Sequence, residues 1–445
     1  MKYFLVPLGC QMNQSDAERI RAVLEAIGYE AADCEEDAIL LGVVACSVRQ
    51  KAIDRVYGRV RKWQQWKAKR DIVTFISGCM LPTDESRLRA SFDVLFPVTE
   101  LTRLPGILRR AGLTPIPQEC AAIPDDSLTD AERGFWRIAP RYSSDHQAFV
   151  PIQNGCDKLC SFCAVPYTRG REVSRPRAEV LAEVRSLVDR GYKSITLLGQ
   201  NVNSYGRFGR STSGFAQLID AIGQIGDHSA GEFWVYFTSP HPQDMTEDVL
   251  RTVADHKCLA EHIHLPLQSG DDQVLQRMNR NYAIADYRRV VASIRRILPA
   301  ATLTTDLIVG FPGETPQQFE NTRSAMQEFQ FNMAYIAMYS PRPGAASYRW
   351  HDDVPVSVKK QRLHTLSGQL QKQALAYNQR LIGNTLQVLV DGHDRKPGHL
   401  SARAKDRTIV RFPEQEQTPI GSFTFVTVTS AAPLSVAGSV CRLHQ

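Results

Sequence analysis

Three short apolar runs near the start of the chain, "KYFLVPLGC", "AILLGVVAC" and "DIVTFISGC", are each bounded by polar or turn residues and separated by stretches of helical period. Alternation of strand and helix restricts the fold to a parallel sheet with helices packed against it. The separating stretches carry the expected patterns. "SDAERIRAVLEAIGY" is predicted to be a helix capped by Ser15, with Glu18 at the capping-box spacing. "VRQKAIDRVYGRVRKWQQWKAK" places apolar residues at helical spacing and basic residues on its other faces. Cys10, Cys46 and Cys79 each follow a strand. They are therefore expected to converge on the C-terminal edge of the sheet, where ligand sites form in α/β folds.

The α/β pattern recurs after an interruption. The stretch "LTPIPQECAAIPDDSLTDAERGFWRIAPRYSSD" is rich in Pro, Asp and Ser and reads as a linker, placed at residues 119–141. From Gln147 onward the strands "AFVPIQ", "SITLLG", "FWVYFTS", "HIHLPL", "TLTTDLIVG" and "MAYIAMYS" alternate with helices such as "RAEVLAEVRSLVDRGY" and "ADYRRVVASIRRIL". Six such units predict a partial barrel of the TIM type, with its chemistry on the loops after the strands. A helix over "SVKKQRLHTLSGQLQKQALAYNQRLIG" leads to "TLQVLVDG", "GHLSARAK", "TIVRFP", "GSFTFVTVTSAA" and "SVAGSV", the short-strand pattern of a small antiparallel β-barrel. The expected domains are 1–118, 142–373 and 378–441.

Length and composition agree with this. A chain of 445 residues exceeds one ordinary core, and 43% apolar with 22% charged residues predicts a folded globular protein. The net charge of +6 permits a nucleic-acid partner without demanding one. The apolar stretch Phe4–Leu8 is too short for a secretory signal, and the longest apolar run has roughly half of the ~20 residues a membrane span needs. A cytoplasmic protein without a membrane contact is expected. In that compartment ten cysteines indicate metal or redox chemistry rather than disulfides.

The densest cysteine cluster is "NGCDKLCSFCAVPYTRGREVSRP", in which Cys156, Cys160 and Cys163 follow a C-x3-C-x2-C spacing. Structural zinc wants four protein ligands. No fourth cysteine lies nearby, and His146 sits on the far side of a strand. An iron–sulfur cluster fits better, because thiolates are its usual ligands and three of them on a four-iron cube leave one iron open to a chelating substrate. Taken singly, a cysteine at a strand end is usually a packed small hydrophobe. Cys10, Cys46 and Cys79 occupy equivalent strand ends and so form a second three-thiolate set. Cys34, Cys120, Cys258 and Cys441 show no such pattern.

The triad after the first barrel strand resembles the radical S-adenosylmethionine (SAM) superfamily. The resemblance extends along nearly the whole chain. "LGCQMNQSDAER", "ACSVRQKA" and "SGCMLPTD" look like the N-terminal domain of the methylthiotransferases. "LLGQNVNSYG", "FTSPHP", "HLPLQSGDDQVLQRMNRNY" and "TDLIVGFPGET" are similar to that family's radical-SAM domain, and the C-terminal barrel to its TRAM domain, an RNA-binding module. "GCQMN" and "VPYTRGREVSRP" are most similar to the branch acting on isopentenyladenosine in tRNA.

The resemblance implies two 4Fe-4S clusters, on Cys10/Cys46/Cys79 and on Cys156/Cys160/Cys163, with SAM as methyl donor and as radical source. It implies methylthiolation at carbon 2 of isopentenyladenosine 3′ of the anticodon. The implied partners are a tRNA anticodon stem-loop and an electron donor such as flavodoxin or ferredoxin, and a monomer is expected. Sister enzymes act on threonylcarbamoyladenosine in tRNA or on a ribosomal-protein aspartate, and "CQMN" argues against both. An RNA-binding protein with purely structural clusters is the alternative from another class, and two preserved triads argue against it. The chain departs from the family pattern at Val44-Ala45, commonly Asn-Thr, and at Asn154, commonly Glu. Both departures bear on hydrogen bonding around the clusters.

Further candidate residues follow the strands. Gln200 and Asn201 stand where the superfamily contacts the amino-acid end of SAM, and read equally as turn residues. Gln268 and Glu314 read either as ligand contacts or as polar turn and helix-cap residues. His264 reads as a satisfied barrel-interior histidine. Arg169, Arg171, Arg175 and Arg177 beside Tyr167, and Arg403, Lys405, Arg407 and Arg411 in the barrel, are the candidate RNA contacts.

Overall fold

The computed structural model describes residues 1–46, 50–113, 131–207, 213–416 and 418–441. Strands β1 (Lys2–Leu8), β2 (Glu30–Ala31), β3 (Leu40–Cys46), β4 (Val73–Cys79) and β5 (Val94–Leu95) form one parallel sheet in the order β2-β1-β3-β4-β5. The two short edge strands have no period for a sequence to display. Every residue of the central β3 is buried, as expected of a strand covered on both faces. Leu40 and Val44 join the core under helices Gln11–Ala26 and Leu104–Arg110. Leu41, Val43 and Ala45 join the opposite core, with Trp63 of helix Gln50–Lys67.

The first helix starts earlier than its capping pattern predicts. It begins at Gln11 with Cys10 as N-cap, and Asn13 Oδ1 accepts from the Cys10 N–H at 3.4 Å. Ser15 lies inside the helix, where Arg19 Nη1 donates to its Oγ at 2.8 Å. The residues that resemble a cap are buried because they face the central domain. Glu18 accepts from the Ser143 N–H at 3.0 Å, and Arg19 pairs with Glu183 at 3.7 Å.

The segment read as a linker is partly ordered. Residues 119–130, with Cys120, lie outside the described residues, but Ala131–Arg137 is a helix. Its Phe135 and Trp136 pack into the N-terminal core, their ring centroids 5.2 Å apart. Two adjacent aromatic side chains bury enough apolar surface to order a polar stretch.

All six barrel strands form. They are β6 (Gln147–Pro151), followed by a ribbon of β7 (Gln153–Asn154) and β8 (Val173–Ser174), then β9 (Ser194–Leu198), β10 (Trp234–Phe237), β11 (His262–His264), β12 (Thr302–Val309) and β13 (Met333–Met338). The parallel strands make two three-stranded sheets, β10-β9-β6 and β11-β12-β13, with a single bridge between Val235 and Leu259 beside the junction. Strand β11 is shorter than "HIHLPL" predicts, and Pro266, which has no N–H to donate, follows it. A continuous core including Val150, Leu197, Val235, Leu265, Leu303 and Tyr287 fills the barrel.

Helix Val356–Gln379 leads to β14 (Thr385–His393), β15 (His399–Ala404), β16 (Ile409–Pro413), β17 (Phe423–Ala432) and β18 (Ser435–Val440), a closed barrel. The pairs are antiparallel except β16–β18, which is parallel and closes the ring. The barrel docks on the central domain through Trp234 and Phe423, centroids 4.6 Å apart, and through Arg407 over the Tyr236 ring at 3.6 Å.

Candidate active site

The N-terminal triad is assembled by strand register. Cys46 and Cys79 are partners at the ends of β3 and β4, and Cys10 caps the helix that follows β1. Gly78 lets the two strand ends approach. Its φ is +115°, and a Cβ there would lie 2.2 Å from the Ala45 carbonyl oxygen. Asn13 stands among the cysteines. Its Oδ1 faces the Cys10 Sγ at 3.7 Å, and its Nδ2 faces the Ala45 carbonyl at 3.4 Å and the Cys79 Sγ at 3.7 Å. A hydrogen bond with Cys46, and then burial, raise the Cys79 thiol well above the usual range, while Arg169 pulls it down.

The second triad lies on a loop closed by the β7–β8 ribbon. Gly155, at φ +78°, makes the turn into it, and a Cβ there would meet the Arg171 carbonyl oxygen at 1.9 Å. The loop is pinned by backbone bonds from Cys156 N to Gly170 O at 3.3 Å and from Ser161 N to Met278 O at 3.0 Å. Burial, opposed by a backbone hydrogen bond and aided by the neighbouring cysteines, pushes the Cys156 thiol up to about 11 and the Cys163 thiol up to about 12. Arg280 Nη1 donates to the Cys160 Sγ at 3.3 Å. The same guanidinium is held by the Pro266 carbonyl at 3.1 Å and the Tyr282 hydroxyl at 3.2 Å.

One side chain joins the two triads. Arg169, from helix Val165–Arg169 on the second loop, donates from Nε to the Cys79 Sγ at 3.0 Å. Its Nη1 donates to Asp16 Oδ1 at 3.2 Å and to Asn154 Oδ1 at 3.3 Å, and its Nη2 pairs closely with Asp16 Oδ2. Beside it a cavity of about 280 Å³ is lined by Gly78, Trp136, Asn154, Tyr167, Arg169 and Gly170.

Of the remaining predicted contacts, Gln200 and Asn201 follow β9 with their amide oxygens buried and without a hydrogen-bond partner among the described residues. Asn201 Nδ2 donates to Asp244 at 3.0 Å, and Asp244 pairs with Lys158 of the cysteine loop at 2.7 Å. Gln268 is buried at φ +69°, bridged to Leu307. Glu314 is held by Arg362 at 2.5 Å and by the Gly310 N–H at 2.7 Å, which makes it a structural carboxylate on that side. His264 is satisfied, as expected, by Thr304 at 2.9 Å and Asp306 at 3.1 Å.

The arginines divide differently from the prediction. Arg169 and Arg175 do not face solvent: both side chains are only 6% exposed, and Arg175 pairs with Glu183 at 2.5 Å. Arg407 lies against Tyr236 and donates to Thr196 Oγ1 at 3.2 Å, so it joins two domains. Lys405 donates to the Lys257 carbonyl. Their charges are spent on partners that sequence proximity does not reveal. Arg171, Arg177 and Arg411 are exposed, and Arg403 is half-exposed beside Asp391 at 3.2 Å. Asn13, Asp16, Asp244 and Arg280, none singled out from the sequence, complete the site.

Among the described residues no three His, Cys, Asp or Glu side chains gather tightly enough to hold a single metal ion. A four-iron cube instead takes its thiolates at separate corners. The donor sets fit that chemistry: each has three thiols outside any disulfide and a buried guanidinium donating to one sulfur. The orphaned amide oxygens of Gln200 and Asn201 fit a polar ligand after β9.

The comparisons agree with this arrangement. The model of the radical SAM superfamily matches residues 150–326, and that of the uncharacterized protein family UPF0004 matches residues 2–97. The radical S-adenosylmethionine methyltransferase TsrM from Kitasatospora setae is similar in fold, with a TM-score of 0.55 at 15% identity over 90% of this chain and 78% of that one. Fold and matches together define a radical SAM protein with an added N-terminal sheet domain. The tRNA-2-methylthio-N(6)-dimethylallyladenosine synthase of Cronobacter sakazakii is 36% identical over 98% of this chain and 92% of its own length. That of Alcanivorax borkumensis is 36% identical over 98% of both chains. The chain belongs to the family of these synthases.

Proposed function

We infer that this chain is a tRNA methylthiotransferase that converts isopentenyladenosine 3′ of the anticodon to its 2-methylthio derivative. The observation that carries the reading is similarity at 36% identity over 98% of the chain to synthases named for that product. The two thiol triads joined by Arg169 support it. In this reading Cys156, Cys160 and Cys163 hold one 4Fe-4S cluster, and Cys10, Cys46 and Cys79 hold the second. When bound, the clusters and SAM supply the electron, the radical that removes hydrogen from carbon 2, and the methylated sulfur.

The protein's own residues prepare the site. Burial disfavours free thiolates at Cys156 and Cys163, so metal binding there displaces protons. Arg280 and Arg169 offer cationic donors to the resulting sulfur charge. Gln200 and Asn201 offer buried acceptors for the ammonium of SAM. The domains are taken as 1–118, 142–373 and 378–441, with the exposed Arg171, Arg177, Arg403 and Arg411 meeting the RNA backbone. An anticodon stem-loop, a flavodoxin- or ferredoxin-like donor, a cytoplasmic setting and a monomer complete the reading. Among the described residues no helix is long and apolar enough to cross a membrane.

Nucleoside mass spectrometry of tRNA from cells with and without this gene tests the reading. Deletion should replace 2-methylthio-isopentenyladenosine by isopentenyladenosine. Persistence of the methylthio nucleoside in the deletion strain would refute the assignment.

A further inference from the structure

We propose that Arg169 is a positioning residue that sets the reduction potential of the cluster on Cys10, Cys46 and Cys79, with Asp16 as its electrostatic counterweight. The inference rests on the reading of that triad as a cluster site.

The geometry is specific. The Arg169 Nε donates to the Cys79 Sγ at 3.0 Å, while the far edge of the same guanidinium grips both oxygens of Asp16. The Arg169 side chain is 6% exposed and that of Asp16 is 0% exposed, so neither charge is screened by water. Hydrogen bonds to the sulfurs and nearby charge are levers that set iron–sulfur potentials. A cation donating to a thiolate favours the reduced, more negative cluster. A carboxylate behind that cation opposes it.

The guanidinium belongs to the loop of the other triad. Asn154 ties down both the side chain and the main chain of Arg169, accepting from Nη1 at 3.3 Å and donating from Nδ2 to the backbone carbonyl at 3.3 Å. The N-terminal cluster is therefore poised by a residue that the second loop delivers. The corresponding arginine at the second triad differs in one respect. Arg280 donates to Cys160, and its other bonds go to the neutral Tyr282 hydroxyl and Pro266 carbonyl rather than to a carboxylate. The positive charge at Cys160 acts at full strength, whereas that at Cys79 is offset.

The test is a potentiometric titration of the anaerobically reconstituted full-length holoenzyme, followed by electron paramagnetic resonance. The C156A/C160A/C163A chain identifies the signal of the N-terminal cluster. Arg169→Gln should lower that cluster's potential and its reduced fraction at a fixed poise several-fold. Asp16→Asn should raise both, and Arg169→Lys should fall between Arg169→Gln and the parent. A structural role alone would not give shifts of opposite sign. Shifts of the same sign, or a potential unmoved by either substitution, would overturn the proposal. If Arg169→Gln loses iron, Asp16→Asn decides alone: a raised potential supports the proposal, and a lowered or unchanged one overturns it. A C156A/C160A/C163A chain that binds no iron would instead refute the cluster reading itself, and the inference with it.

Discussion

Tyr167 is an exposed aromatic side chain that lines the cavity beside Arg169. An unpaired base entering there can stack on it, and such stacking is worth about 1–3 kcal/mol. Replacing Tyr167 by Ala should therefore raise KM for the RNA roughly 5–150-fold, with iron content unchanged. Steady-state kinetics with an anticodon stem-loop would show this. The six cysteines could be singled out as candidates in the sequence because their spacing and their places after strands are local patterns. Asp16 and Arg169 could not be paired in advance, because they are 153 positions apart and meet only when two domains pack. For the same reason a run of arginines that reads as one basic patch divides into buried and exposed members.

Two glycines at the strand ends bring the cysteines within reach of one another. At Gly155 a side chain would both occupy a positive φ and collide with the Arg171 carbonyl. Gly155→Ala should cost about 1–3 kcal/mol of stability, read as a lower denaturant midpoint, and should loosen iron from the second triad before the first. The strands themselves were evident from apolar runs and turn residues, including all five of the C-terminal barrel. What escaped had no periodic signature: the two-residue β2, β5, β7 and β8, and the aromatic helix Ala131–Arg137 inside a polar stretch. The first helix starts before its capping pattern because Ser15 and Glu18 have the spacing of a cap but are buried against the central domain.

Arginine side chains bridge the domain contacts, beside apolar pairs such as Trp234 and Phe423. Arg169 joins the N-terminal sheet to the central barrel, and Arg407 joins the central barrel to the C-terminal one. Arg407→Ala removes a cation–π contact worth about 0.5–2 kcal/mol. It should make the segment after helix Val356–Gln379 more susceptible to limited proteolysis while leaving iron content intact. The exposed Arg171 and Arg177 are instead the proposed contacts to the RNA. Replacing both by Glu should weaken binding at low salt and flatten its salt dependence by about one unit of log–log slope per lost phosphate contact.

In the proposed function the two triads act together on one base. Its most direct test supplies the anaerobically reconstituted full chain with SAM, a low-potential reductant and an anticodon stem-loop bearing isopentenyladenosine, and examines the RNA by nucleoside mass spectrometry. The parent chain should yield 2-methylthio-isopentenyladenosine. Isopentenyladenosine recovered unmodified from a fully iron-loaded chain that cleaves SAM would contradict it.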